Sequence, residues 1–320
     1  MITQIPDSFK EPESSTMFLN NLTVVDHAYI DNEGCVKGGS FNPSFIVSGR
    51  PDPTEKVVVD FSTIKKDIKT AIDKHEFDIH KNGFDHKLWI IEGYSNVVSI
   101  DDSSDDVVTI VTPNMTLILA KDAVRVIEQK MNTNSEYSVY YIGDAFRRHV
   151  QTYLQTKYPD INVKVQCFNN VDKHLIDIMV ATATFHYVHG LKDSTSFGCQ
   201  NIAHGHRSFI HTDNVSYNSL VYDELCEIAK ELDNTVFVRK DNVLSITPNE
   251  IVIGYSTEQR GRFKMTLNTD YHKVVVLPTE TTVEFLAAYI KQYYSTKLKV
   301  LGAREIYVSE GLSKGAVEHL

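Results

Sequence analysis

Apolar and polar positions along this chain alternate in short runs, and longer amphipathic stretches interrupt them in an order that occurs twice. Residues 107–116 (VVTIVTPNMT) and 243–251 (VLSITPNEI) each read as an alternating strand, a Thr-Pro-Asn turn and a second strand. Residues 57–77 and 220–234 each read as a strand edge running into an amphipathic helix. Asp60 and Asp223 stand at the expected helix starts, where a carboxylate accepts from exposed N–H groups. Residues 137–168 and 272–310 each read as a strand, a short turn, a helix of about four turns and a closing strand. The shared order predicts two diverged copies, 17–169 and 174–320, after an N-terminal extension (1–16) and joined by the polar segment 169–173. Hairpins punctuated by two helices per copy predict an α+β fold, with antiparallel sheets carrying helices on one face.

Composition agrees with this division. A chain of 320 residues holds two domains of ~150. With 42% hydrophobic and 23% charged residues it can bury a core. A net charge of −10 argues against a nucleic-acid partner. The polar start, MITQIPDSFKEPESSTMF, is not expected to be a signal peptide. No apolar run approaches the ~18 residues of a membrane span. Four cysteines without CxxC spacing suggest individual thiols in a reducing compartment, hence a cytoplasmic location.

The chemistry concentrates in residues 182–209. In His204-Gly205-His206 the two histidines lie one residue apart, so on a strand both imidazoles face the same way. A neighbouring strand, TATFHYVH (182–189), ends on His189, which can complete a three-imidazole set. Three neutral imidazoles with an open fourth position suit a catalytic Zn2+. Cys199, five residues before His204, can serve as a thiolate acid/base beside such a cation. His186 alternates away from His189, and His211 is offset by an odd number from His206, so neither is a first choice as ligand. The histidine-rich segment 75–87 reads as a solvated insertion, Trp89 as a core residue and DDSSDD (101–106) as an exposed turn.

The pattern Phe185…His189, then Cys199…His204-Gly205-His206, with Glu310 and Gly315-Ala316 at the end, resembles the 6-pyruvoyl-tetrahydropterin synthase / 6-carboxy-tetrahydropterin synthase (QueD) family. Pro278-Thr279 before the last helix also fits, although Thr281 replaces the family's glutamate. The resemblance implies a tandem tunnelling fold of ββααββ units. It also implies a zinc-dependent lyase acting on 7,8-dihydroneopterin triphosphate. His189, His204 and His206 would hold zinc, Cys199 would be catalytic, and Glu310 and Thr279 would bind substrate. Cleavage of a carbon–carbon bond in the substrate's side chain would give 6-carboxy-tetrahydropterin, the queuosine-pathway product; loss of triphosphate would give 6-pyruvoyl-tetrahydropterin. Open sheet edges of such units imply a homo-oligomer. The alternatives are a non-catalytic pterin- or purine-binding protein and a structural module of the same fold.

The family pairs its cysteine with an Asp-His dyad. The second copy reads Leu232-Asp233-Asn234 there, and asparagine shuttles no proton at neutral pH. The first copy keeps Asp85-His86 but lacks the zinc ligands: GGSFNPSF (38–45) takes the place of HGHRSF, and His27 aligns with His189. Complementary losses predict a composite site, with Asp85 orienting His86 and His86 exchanging protons with Cys199. His272 is the competing source of the missing imidazole.

Overall fold

The computed structural model describes residues 12–128, 138–168, 181–213, 215–312 and 314–320; residues 1–11 of the expected extension and the joining segment 169–173 lie outside them. The first sheet contains β1 (Ser15–Leu19), β2 (Val25–Ile30), β3 (Val36–Gly49), β4 (Lys87–Ile91), β8 (Val124–Ile127) and β9 (Ile161–Phe168). Its order is β1-β3-β2-β4-β8, with β9 also paired to the long β3. The second sheet, ordered β16-β12-β10-β11-β17-β18, contains β10 (Ala183–His189), β11 (His204–Thr212), β12 (Thr235–Arg239), β16 (Lys273–Leu277), β17 (Glu305–Glu310) and β18 (Lys314–His319). The third, ordered β13-β14-β15-β7-β6-β5, joins β5 (Ser99–Asp101), β6 (Val107–Val111) and β7 (Met115–Ala120) to β13 (Val243–Ile246), β14 (Glu250–Thr257) and β15 (Gly261–Asn268).

Four helices among the described residues cover the first two sheets. Helix α1 (Phe61–Asp73) starts at Asp60, whose carboxylate accepts from the Thr63 N–H, and buries Ile64, Ile68, Ala71 and Ile72 on one stripe. These meet Phe146, Val150 and Leu154 of α2 (Ser138–Lys157) over the first sheet. Helices α3 (Leu220–Leu232) and α4 (Val283–Val300) cover the second sheet through Leu225, Ile228, Leu286 and Ile290. The helix-free faces of both sheets share a core with the third sheet, which includes Leu88, Ile90, Val236, Val238, Leu117 and Met265. The hairpins β2–β3 and β10–β11 touch backbone to backbone there. A Cβ on Gly205 would lie 2.5 Å from Gly38 Cα, and one on Gly38 2.1 Å from the Tyr187 carbonyl oxygen. Only glycine permits that approach.

Several expectations change. The first two sheets are mixed rather than antiparallel: β4 runs parallel to β2, β8 to β4, β12 to β10 and β16 to β12. The backbone leaves through a helix or the third sheet before each return, which permits a parallel entry. The strand expected from residue 137 is the start of α2, and β8 supplies the edge strand instead. Gly143-Asp144, the expected turn after 138–142, lies inside the helix, whereas Pro278 does separate β16 from α4. Ser219, not Asp223, caps α3, its hydroxyl accepting from the Tyr222 N–H at 3.1 Å. The two Thr-Pro-Asn hairpins occupy different places, joining β6 to β7 but β13 to β14.

The registers also correct the alignment of the two hairpins. His27 faces Gly39 and Tyr29 faces Lys37; Tyr187 faces His206 and His189 faces His204. His27 lies opposite Lys87 on the parallel neighbour, as Tyr187 lies opposite Thr235. Tyr29 is therefore the positional counterpart of His189, not His27, and Lys37-Gly38-Gly39 is the counterpart of His204-Gly205-His206. An alignment that sets GGSFNPSF against HGHRSF is one residue out of step.

Candidate active site

Strand alternation on β11 turns His204 and His206 to one face, and the register places His189 of β10 beside His204. All three are buried, and their ligand-type atoms lie within 4.8 Å of one another. His189 Nδ1 donates to the Thr281 carbonyl at 2.7 Å, and His204 Nδ1 to the Asn201 carbonyl at 2.8 Å. A carbonyl only accepts, so both Nδ1 atoms carry hydrogen and both Nε2 atoms present lone pairs. His206 Nδ1 lies 3.3 Å from the Asp26 carboxylate, which turns its Nε2 inward as well. His206 Nε2 is 3.1 Å from His189 Nε2, while His204 Nε2 has no protein partner. Two lone pairs at that distance repel unless a proton or cation lies between them. Tetrahedral zinc with ~2.05 Å Zn–N bonds separates its ligands by ~3.3 Å. The donor set therefore fits a zinc ion, with carbonyl- and carboxylate-held imidazoles of the kind such ions use.

Burial pushes His189 down to about 3, helped by the neighbouring His206, and drives His204 well below the ordinary imidazole value. Both are neutral, as ligands must be. Asp26 is buried too, which opposes ionisation. The proximity and hydrogen bond of His206 nevertheless hold its carboxyl well below the usual range.

The first half of the protein enters this site through β4. Asp85 Oδ2 accepts from His86 Nδ1 at 2.7 Å, and Asp85 Oδ1 from the Asp26 N–H at 2.9 Å. The His86 N–H donates to the Asp26 carbonyl at 2.6 Å, and His86 takes a φ of 54°. The ring centroid stands 5.4 Å from His204 and 6.5 Å from His206. The half-buried Cys199 sits on the 3-10 turn Gly198–Gln200 and is hydrogen-bonded to His86. A Cβ on Gly198 would come within 2.7 Å of His86 Cγ, so this glycine admits the ring. Burial alone would raise the Cys199 thiol, but His86, through its hydrogen bond and charge, sets it below its ordinary value. Burial likewise opposes protonation of His86, yet Asp85 and Cys199 raise it well above the ordinary imidazole value. Each group thus favours the charged form of the other: His86 draws the thiol down, and Cys199 with Asp85 draws the imidazole up. Glu310, at the end of β17, has Oε1 4.0 Å from His206 Nε2 and Oε2 2.8 Å from Lys314 Nζ. Burial works against its charge, while His206 and Lys314 hold it below the usual carboxylate value.

No family model matches this chain, and no curated protein matches it. Among solved structures it is similar to 6-pyruvoyl tetrahydropterin synthase from Plasmodium vivax, at 18% identity and a TM-score of 0.31, over 49% of this chain and 96% of that one. A catalytic-residue mutant of the same enzyme gives 15% identity and a TM-score of 0.31, over 44% and 98%. The synthase of Plasmodium falciparum gives 15% and 0.29, over 49% and 100%. At that level of likeness the functional reading has to come from the side chains.

The structure brings together Asp85, His86, Cys199, His189, His204, His206 and Glu310. It does not bring in Thr279, whose hydroxyl donates to the Glu280 carbonyl at 3.3 Å; two residues on, Thr281 is the one that touches the site. A proline-threonine signature marks a helix entry, but the group used is a backbone carbonyl, which carries no residue signal. His272 lies elsewhere, buried with Nδ1 3.1 Å from the Asn268 carbonyl. As expected, His186 faces away, bonded to Asp233 at 2.9 Å, and His211 stacks on Tyr307. Trp89 is a core residue, stacked on His27 at 3.8 Å and donating to the Phe84 carbonyl at 3.0 Å. His27 is thus bound into the first half's own packing. The expected solvated insertion 75–87 is buried at its Lys87 end.

Sequence reading missed Asp26, Asn201 and Arg260. Arg260, in the β14–β15 turn, reaches Asp122 Oδ1 at 2.9 and 3.2 Å and the Phe197 carbonyl at 2.9 Å. It also stacks over the Phe197 ring at 4.5 Å, two residues before Cys199. Nothing local in QR at 259–260 announces that role, since the groups its guanidinium hydrogen-bonds are more than sixty residues away in sequence.

Proposed function

We propose that this protein is a zinc-dependent pterin synthase-like lyase acting on 7,8-dihydroneopterin triphosphate at a composite site. The observation that carries the reading is the contact of His86, from the first half, with Cys199, beside the three-histidine cluster of the second. In this reading His189, His204 and His206 hold the metal, which would supply Lewis acidity toward the oxygens of the substrate side chain. Cys199 thiolate takes a proton from a carbon of that side chain. Imidazolium His86 returns a proton to oxygen, with Asp85 fixing its tautomer and orientation. Glu310 accepts from the amino and ring N–H groups of the pterin, once Lys314 yields one of its oxygens. Thr279 has no observed support as a substrate contact.

The same reading takes residues 17–169 and 174–320 as diverged tunnelling-fold copies. The recurring order of hairpin, parallel third strand and parallel fourth strand supports it, as does a repeated backbone clasp. The His186 N–H donates to Asp233 at 2.8 Å and the Asn234 N–H to the His186 carbonyl at 2.7 Å, matching the bonds among Asp26, Asp85 and His86. Asn234 even shares the positive φ, at 59°. The edges at β16 and β18 are consistent with a homo-oligomer. Among the described residues no helix is long and apolar enough to cross a membrane.

The test is metal analysis with product identification by mass spectrometry. Purified protein should hold one zinc, lose it in His204→Ala, and convert the substrate to 6-carboxy- or 6-pyruvoyl-tetrahydropterin. Tight pterin binding without any product from the zinc-loaded protein would instead assign a binding protein.

A further inference from the structure

The clasp repeated at Asp233-Asn234 marks a second location, the positional mate of the candidate site, and its chemistry has been rebuilt. The registers put Tyr29, Lys37 and Gly39 where the first location has His189, His204 and His206, and Asn234 where it has His86. Tyr29, Lys37 and Gly39 make no metal site, and an asparagine moves no proton. Yet the location is not packed solid. A cavity of about 700 Å³ opens there, with Lys37, Asp233 and Asn234 in its wall.

Two more cations, Lys230 and Lys273, and three tyrosines, Tyr217, Tyr222 and Tyr271, complete the part of the lining that bears on ligand choice. Lys273 is fixed, its ammonium donating to the Lys230, Glu231 and Asp233 carbonyls at 3.2–3.3 Å. Lys37 pairs with Asp31 at 3.7 Å. The acid in the wall, Asp233, is already engaged by the His186 ring and backbone N–H and by the Asn234 amide at 2.8 Å. Three lysines thus line the cavity beside a carboxylate already engaged, Lys230 exposed, Lys273 held on carbonyls and Lys37 paired with Asp31, in a protein whose net charge is −10. A volume of this size holds a small molecule, and lysines recognise phosphate as point charges.

We propose that this cavity binds the phosphate groups of a small anionic molecule by charge alone, without metal and without turnover. The inference stands on the register and the lining, and does not need the lyase reading. Isothermal titration calorimetry on the full-length protein tests it, with inorganic pyrophosphate and adenosine triphosphate as separate probes. Saturable binding that weakens with added sodium chloride is expected. Lys37→Ala combined with Lys230→Ala should weaken it about tenfold or more, at an unchanged melting temperature. Lys230→Ala alone, at an exposed helical position, should weaken it by a smaller factor and guards against misfolding of the double variant. His204→Ala should leave it intact. Tighter binding of the nucleotide would assign the tyrosines to a ring, and equal binding would assign the site to phosphate alone. Absence of saturable heat with either probe to about 10 mM overturns the proposal. So does binding that survives both lysine substitutions, or binding that disappears in His204→Ala.

Discussion

Replacing Arg260 by methionine removes a guanidinium whose side chain is 1% exposed, and leaves Asp122, 2% exposed, without its counterion. Deleting one member of a buried pair costs about 3–5 kcal/mol, because the remaining charge stays desolvated. One change offsets part of this. Lys87 donates to the Asp122 carbonyl at 2.5 Å, and burial together with the Arg260 charge pushes its ammonium down to about 7. Without Arg260 one of the two influences that push that ammonium down is gone while burial remains, so Lys87 offsets only part of the charge left on Asp122. The loss should therefore fall near about 3 kcal/mol, a large share of the ~5–15 kcal/mol that holds a domain folded. Guanidinium denaturation measures it as a lower midpoint at unchanged slope. A second readout separates support of the Cys199 turn from general stability. With the Phe197 carbonyl and ring released, Cys199 should lose contact with His86 and react more slowly with iodoacetamide at neutral pH, as read by peptide mass spectrometry. Arg260→Met with Asp122→Leu should recover most of the stability, since no lone charge is buried, but not the alkylation rate. A loss under about 1 kcal/mol with unaltered alkylation would refute the reasoning.

Gly198→Ala puts a methyl group 2.7 Å from His86 Cγ; the ring must move, so product formation should fall at least tenfold and the pH midpoint for Cys199 alkylation should rise. An unmoved midpoint would show that His86 does not set that thiol. Acid sensitivity follows from buried neutral imidazoles. Burial pushes His27 down to about 3 and His149 to about 4, from 6.5. Each keeps its proton less readily when folded than when unfolded, so stability is full above about pH 6.5 and declines as pH falls toward 4. Denaturation midpoints at pH 7.5 and pH 5 should show the decline, and His149→Phe should reduce it; a midpoint that rises on acidification would contradict the sign.

How far the sequence disclosed this site depended on how local each signal was. His204-Gly205-His206 is readable because strand alternation is a period of two, and His189 because an adjacent strand has the same pattern. Asp85-His86 stands out against Asp233-Asn234 only once the halves are compared. The hairpin alignment slips by one residue because Gly38 and Gly39 are adjacent and either can stand for Gly205; the pairing of Tyr29 with Lys37 and of His27 with Gly39 settles it. The parallel strands escape notice because β4, β8, β12 and β16 have the same apolar composition whichever way they enter. Thr281, Asn201 and Arg260 escape it since they act through carbonyls or across the fold. Their contributions depend on where the backbone passes, not on which residue repeats.

The central claim is that an acid–base pair from one half of the protein serves a thiol and metal-binding histidines in the other. Its most direct test is the rate of product formation from 7,8-dihydroneopterin triphosphate by zinc-loaded His86→Ala and His272→Ala, with metal content measured on the same samples. The account predicts at least a hundredfold loss in His86→Ala at undiminished zinc, within the range for removal of a general acid–base group, and no loss in His272→Ala. Full activity in His86→Ala with a dead His272→Ala would contradict it.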